Sequence, residues 1–236
     1  LKLVTTAILL TVITSAASAQ FLKTVYGDGD VVRKQRDIRN FTGVKVSSGI
    51  DVYLSQGSRE SVVVEADENL HDYIITEVRD GVLHIRTEVS IRKAEQKRVY
   101  VTMKEIRSVS ASSAGDVTGE TLVTSDRIRI SASSAGDINL DVKADDVEVD
   151  ISSSGDVTLS GEARLLQADL SSAGDLNASN FEVEEADVSV SSAGDADIYV
   201  TKRLSARASS AGSVNYRGNP EYVDAHSSSA GGVHRR

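Results

Sequence analysis

The chain has 236 residues, with 35 Asp and Glu against 26 Lys and Arg, a formal net charge of −9, no cysteine and no tryptophan. A net acidic chain whose charges are scattered argues against binding a nucleic-acid backbone or an anionic membrane. Without cysteine there is no disulfide and no lipid-modified Cys, so stability must come from burial and backbone pairing; with aromatics at 4% the core must be Val, Ile, Leu and Ala.

In chain order, Lys2 precedes an apolar stretch from Ala7 to Ile13 and the small residues Ser15, Ala16, Ala17, Ser18 and Ala19. This predicts a signal peptide over residues 1–19, cleaved after Ala19, and an exported protein in the periplasm, on the outer-membrane surface or secreted. The stretch is too short to cross a hydrocarbon core of roughly 30 Å. Residues 20–37 read as an N-terminal extension and residues 38–236 as a single β-solenoid domain, irregular over 38–108 and regular over 109–236.

Within the irregular part, Val44 and Val46 lead into Ser47-Ser48-Gly49-Ile50-Asp51, and Val52 and Leu54 continue the alternation. A short helix is predicted from Asp67 to Ile75, with Asp67 as N-cap and Leu70 and Ile74 one turn apart. Asp80-Gly81 between two apolar runs predicts a hairpin. Residues 89–98, with Arg92, Lys93, Lys97 and Arg98, read as a charged loop before a strand from Val99 to Met103; such charge runs are usually solvated.

From Ser112 onward one turn recurs. Ser-Ser-Ala-Gly-Asp starts at Ser112, Ser133, Ser171 and Ser191, Ser-Ser-Ser-Gly-Asp starts at Ser152, and variants start at Ser209 and Ser228. Its glycines, Gly115, Gly136, Gly155, Gly174, Gly194, Gly212 and Gly231, are 21, 19, 19, 20, 18 and 19 residues apart. Between them apolar residues alternate, as in Ile138, Leu140 and Val142 or Val147, Val149 and Ile151, which predicts two or three short strands per repeat with one buried face. A lone repeat cannot bury that face, but copies stacked about 4.8 Å apart can. An antiparallel sandwich also spaces strands regularly, yet nothing in it requires the same turn seven times. Ala206 and Ala208 in place of larger residues, Ser213 and Gly232 in place of Asp, Pro220 and the tail His234-Arg235-Arg236 fit terminal rungs guarding an open edge.

Phe41-Thr-Gly-Val-Lys-Val-Ser-Ser-Gly-Ile-Asp-Val-Tyr-Leu-Ser-Gln-Gly57, Val62-Val-Val-Glu-Ala-Asp-Glu-Asn-Leu70, Asp80-Gly-Val-Leu83 and the Ser-Ser-Ala-Gly-Asp turns resemble the putative auto-transporter adhesin, head GIN domain family, over about residues 38–220. The resemblance implies an all-β fold, a right-handed parallel β-helix-like solenoid with rungs of about 19 residues, here with a short helix and a hairpin in the N-terminal part. It also implies a cell-envelope or secreted location, and brings no catalytic residue.

If copies stack in register, Asp116, Asp137, Asp156, Asp175 and Asp195 form a column of carboxylates about 5 Å apart, each exposed pair repelling by about 1 kcal/mol or less. Ca²⁺ could bridge adjacent rungs. The alternative is hydrogen bonding of each Asp to turn N–H groups and neighbouring Ser hydroxyls, with solvent screening the rest. One carboxylate per rung, without the Gly-Gly-x-Gly-x-Asp spacing of calcium rolls, favours the second. The paired serines also stack, with one of each pair expected inward or in the corner and the other in water. No hydrolase, zinc-protease or phosphate-loop motif is present, and His71, His84, His226 and His234 have no ligand spacing.

The sequence therefore predicts no enzyme and no cofactor, but an exported structural or adhesion module contacting an envelope protein or glycan, with self-association through the solenoid ends a further possibility. The alternative is a polysaccharide-binding or polysaccharide-degrading β-helix protein with an Asp-lined face, in which Asp156, Asp175 and Arg164 imitate an acidic cleft.

Overall fold

The computed structural model describes residues 23–236, so the expected signal peptide lies outside the described residues. The described chain is a stack of parallel rungs closed at its front by antiparallel strands. Nine short strands build the front: β1 (Thr24–Tyr26), β2 (Val31–Arg36), β3 (Gly43–Val46), β4 (Asp51–Gln56), β5 (Ser61–Asp67), β6 (Ile74–Arg79), β7 (Val82–Thr87), β8 (Ser90–Arg92) and β9 (Lys97–Met103). The parallel ladder begins where β3 and β4 lie beneath Ser108–Ser112 and Asp116–Gly119, and those segments lie in turn beneath the next rung.

The later rungs are longer than the alternation predicts. Asp137–Ser152, Asp156–Leu170, Asp175–Val190 and Asp195–Ala208 are each a single strand. Each runs out from the Ser-Ser-Ala-Gly turn along one flank, bends and returns along a second flank, with the register slipping between Thr158 and Ser160 and again between Ala178 and Glu185 in the later rungs. At the bend the inward phase shifts by one residue: Ile138, Leu140 and Val142 are buried before it, and Val147, Val149 and Ile151 after it. The two or three short strands expected per repeat are therefore one continuous strand with a bend in it. Such a shift lets the chain turn while both halves keep their apolar residues inside. We refer to the outgoing side as the Asp flank and the other as the return flank.

The core is a set of apolar columns, such as Val117, Ile138, Val157, Leu176, Ala196 and Val214 on the Asp flank. The return flank carries Val109, Ile130, Val149, Ala168, Val188 and Ala206. All are buried. In the last rung the two columns pass to Val233, above Val214, and Ala225, above Ala206, neither of them fully buried. The Arg235 guanidinium donates to the Gly218 carbonyl and to Asn219 Oδ1.

One feature of the front differs from expectation. The hairpin at Asp80-Gly81 is present, both residues having positive φ and β6 pairing antiparallel with β7. The helix is not: Asp67 ends β5, only Glu68–Leu70 forms a three-residue 3-10 turn, and Ile74 and Ile75 belong to β6. β-Branched residues favour a strand when a partner is at hand, and β7 supplies one. The N-terminal extension is also structured, with β1 pairing with β8 and β2 antiparallel with β5.

Candidate functional site

The turns are alike at atomic detail. In every one of the seven, the second serine (Ser154 follows Ser153 in the third copy) and the next residue have positive φ, as in Ser134 at 52° and Ala135 at 56°. The glycine amide donates back to the first serine carbonyl, as Gly136 does to Ser133 at 3.1 Å. This is the geometry of a type I′ turn, although Ser-Ala occupies the places usually held by Asn-Gly. Stacking helps to hold it, because the amide of the residue before glycine donates to the second-serine carbonyl of the next rung, as Ala135 does to Ser153. The glycine itself is not in the left-handed region. A Cβ on Gly136 would stand 2.6 Å from the Ala111 carbonyl carbon, so the position is glycine because backbone passes against backbone.

Directly after each of the first five of these turns stands an aspartate. The register pairs Asp51 with Asp116, Asp116 with Asp137, Asp137 with Asp156, Asp156 with Asp175 and Asp175 with Asp195, after which Ser213 and Gly232 continue the column. The five expected carboxylates are therefore stacked, and Asp51 is a sixth that the irregular first turn concealed. In that turn Ser48 and Gly49 take the positive φ values, and the buried Ile50 stands where later rungs have glycine. The start of β9 supplies the foot of the column: Arg98 lies opposite Asp51 in the strand register, and Lys97 Nζ donates to the Gly49 carbonyl at 2.5 Å. The basic run at 89–98 is thus divided between a strand, β8, and these contacts.

No serine hydroxyl reaches a column carboxylate among the described residues. Asp175 Oδ1 instead accepts from the Asp195 amide at 3.1 Å, and the Asp137 amide likewise favours ionised Asp116. Neither serine of a pair points inward. The first lies half-exposed on the return flank, the second is exposed at the turn, and the inward place belongs to glycine. Burial first, and then neighbouring carboxylates, raise the pKa of Asp116 and Asp156; for Asp175 burial is again the main cause, partly offset by the Asp195 amide.

A raised carboxylate pKa means that the stabilising contribution is complete below the unfolded value of about 4 and is lost as pH rises through the folded value. The triple variant Asp116→Asn/Asp156→Asn/Asp175→Asn is therefore expected to melt at a higher temperature than the parent at pH 7, with the difference vanishing near pH 4. Melting curves at both pH values check this, and an unchanged or lower melting temperature at pH 7 would contradict it.

Beside the Asp column runs a second outward row: Thr118, Asn139, Thr158 and Asn177, then Asp197 and Asn215. At its foot the Tyr53 and Tyr100 rings stack with centroids 5.2 Å apart. The flanks differ in charge. None of the six column Asp residues has an ion-pair partner among the described residues, whereas on the return flank Asp146, Glu148, Asp150 and Asp187 all pair with arginines. Arg164 is one of these, bound to Asp146 near the bend, while Asp156 and Asp175 stand beside the turn. The acidic cleft imagined from Asp156, Asp175 and Arg164 is not assembled. No group of three or more His, Asp or Glu is arranged around a metal position among the described residues, and one carboxylate per rung falls short of the six to eight oxygen ligands typical of Ca²⁺.

Residues 40–220 match the model of the family described as putative auto-transporter adhesin, head GIN domain. The chain belongs to that family. Solved structures share the architecture of this head GIN domain. A putative adhesin from Bacteroides fragilis NCTC 9343 superimposes with a TM-score of 0.84 at 19% identity, covering 90% of this chain and 100% of its own. A putative adhesin from Parabacteroides merdae ATCC 43184 gives 0.73 at 21%, covering 91% and 99%. A protein from Parabacteroides distasonis ATCC 8503, described as a putative lipid binding protein, gives 0.73 at 19%, covering 91% and 100%. At these identities the likeness is one of fold. No curated protein matches the chain in sequence. No helix among the described residues is long and apolar enough to cross a membrane.

Proposed function

We propose that the chain is an exported, non-catalytic adhesion module of the cell envelope that presents its Asp flank to a protein or glycan partner. Membership of an adhesin family supports an envelope role. The observation that carries the choice of face is the difference between flanks: on the return flank Asp146, Glu148, Asp150 and Asp187 pair with arginines, whereas none of the six column carboxylates has an ion-pair partner among the described residues. Repetition supports binding over catalysis. A catalytic centre needs a unique convergence of groups, and here each outward position recurs from rung to rung.

The test is binding of the purified chain to arrayed envelope glycans and immobilised envelope proteins. Saturable binding is expected that weakens as salt rises and is lost in the Asp116→Asn/Asp156→Asn/Asp175→Asn variant. No binding above background would sink the reading, as would turnover of any glycan that Asp156→Asn or Asp175→Asn abolishes. Millimolar Ca²⁺ is expected to leave the melting temperature unchanged; a rise would return the column to consideration as a cation site.

A further inference from the structure

The N-terminal extension joins the front strands through β1 on β8 and β2 on β5. β2 contributes little to the core: Val31 is 38% exposed, and Arg33, Lys34 and Gln35 face solvent. It is held by a six-residue antiparallel register on β5, from Val31 opposite Asp67 to Arg36 opposite Val62, while ahead of it β1 pairs with β8 and the Gly29 amide donates to Asp67. Charges add to the fit, Arg33 pairing with Glu65 at 2.7 Å and Lys34 with Glu68 at 3.6 Å. His71 Nε2 lies 3.1 Å from the Val32 carbonyl, and Arg36 Nη2 donates to the His71 carbonyl. Beyond β2 the chain leaves any strand through Asp37, Arg39 and Asn40, all exposed, with Ile38 between them partly buried against the core and Asn40 at φ 64° with its amide donating to Glu60. The family match begins at this junction, at residue 40.

We propose that residues 23–36 form an exchangeable edge arm, and that copies of the chain associate by each laying this arm along β8 and β5 of another. The register, the two ion pairs and the contacts to His71 would be the same in trans as in cis, so the strand that best fits the β5 edge is the arm of a second copy. Exchange then costs little beyond association itself, and the exposed junction is a ready hinge. Removing the arm leaves the apolar run Val62-Val63-Val64 with an open strand edge, so the site is not left empty for long. The proposal rests on the adhesion reading and gives it a partner: a second copy on an apposed surface, where local concentration is high.

Because the chain has no cysteine, the arm can be trapped. Arg33→Cys and Glu65→Cys chains, carrying tags of different size, are mixed, incubated and oxidised in a thiol buffer. At about 1 mM, a concentration comparable to that reached by tethered partners, the mixed disulfide dimer is expected to exceed either homodimer about tenfold. At about 10 µM that excess should disappear. The pair Gln35→Cys and Val63→Cys, also opposite in register, repeats the test should the Glu65 variant fold poorly. No excess of mixed dimer with either pair overturns arm exchange. In parallel, beads coated with the full chain are expected to cluster and to be dispersed by soluble chain. Mixed dimers without clustering overturn the adhesive use, whereas clustering without mixed dimers overturns exchange and leaves adhesion to another face.

Discussion

Asp67→Ala is expected to destabilise the chain by about 3–5 kcal/mol, because three backbone amides lose their acceptor inside the front of the solenoid. Asp67 is fully buried. Its carboxylate accepts from the amides of Gly29 at 3.0 Å, Glu95 at 3.0 Å and Gln96 at 3.1 Å, tying the N-terminal arm and the loop before β9 to the end of β5. Gly27 passes so close that a Cβ there would collide with the carboxylate. Burial pushes the pKa of Asp67 up, but the backbone donors outweigh it and the net direction is down.

A depressed carboxylate pKa gives stability that is complete above the unfolded value of about 4 and is lost as pH falls through the folded value. The gap between parent and Asp67→Ala should therefore be full at pH 7 and narrow in strong acid, a trend opposite in sign to that of the column Asp residues. Urea denaturation at both pH values measures it. Amide exchange at Gly29, Glu95 and Gln96 should quicken together in the variant. Independent behaviour of the three would mean that the carboxylate does not link them.

Gly136→Ala and Ala135→Gly, one residue apart, are expected to move stability in opposite directions. The added methyl in Gly136→Ala meets the Ala111 carbonyl carbon at 2.6 Å and its oxygen at 2.7 Å, and backbone on both sides cannot step aside. A loss of about 2–3 kcal/mol is expected. Ala135 has φ 56°, where a Cβ is strained, so glycine should gain up to about 1 kcal/mol after the extra freedom of the unfolded chain is counted. Denaturant midpoints of the two variants test both signs. A turn whose glycine served for left-handed geometry would show the reverse order.

That pair also marks what the sequence could and could not convey. Spacing alone made the period, the stacking and the five-member Asp column legible, because a register that repeats every 18–21 residues leaves one way for equivalent residues to meet. The reason for glycine was not legible, since its constraint comes from Ala111, a neighbour 25 positions earlier brought against it only by stacking. Asp51 was hidden for a related reason. With no earlier turn of the same kind beneath it, the first turn tolerates Ile50 where glycine is needed later.

The helix expected at Asp67 failed through the same gap between local and distant information. Asp67-Glu-Asn-Leu70 has the composition of a helix start, but its donors come from Gly29, Glu95 and Gln96, all at least 28 positions away. Nothing local distinguishes a capping carboxylate from one that pins two loops. Likewise, the Arg164–Asp146 contact depends on which flank each residue faces, and the phase shift at the bend decides that.

The central claim is that successive copies lie directly over one another in parallel register. Spin labels at Thr118 and Asn215, five rungs apart in the same outward row, should give a pulsed-EPR distance centred near about 24 Å, five steps of the 4.8 Å strand spacing. A narrow distribution there is the predicted result. A mean below about 15 Å or above about 35 Å would be incompatible with five such steps and would contradict the stacked register.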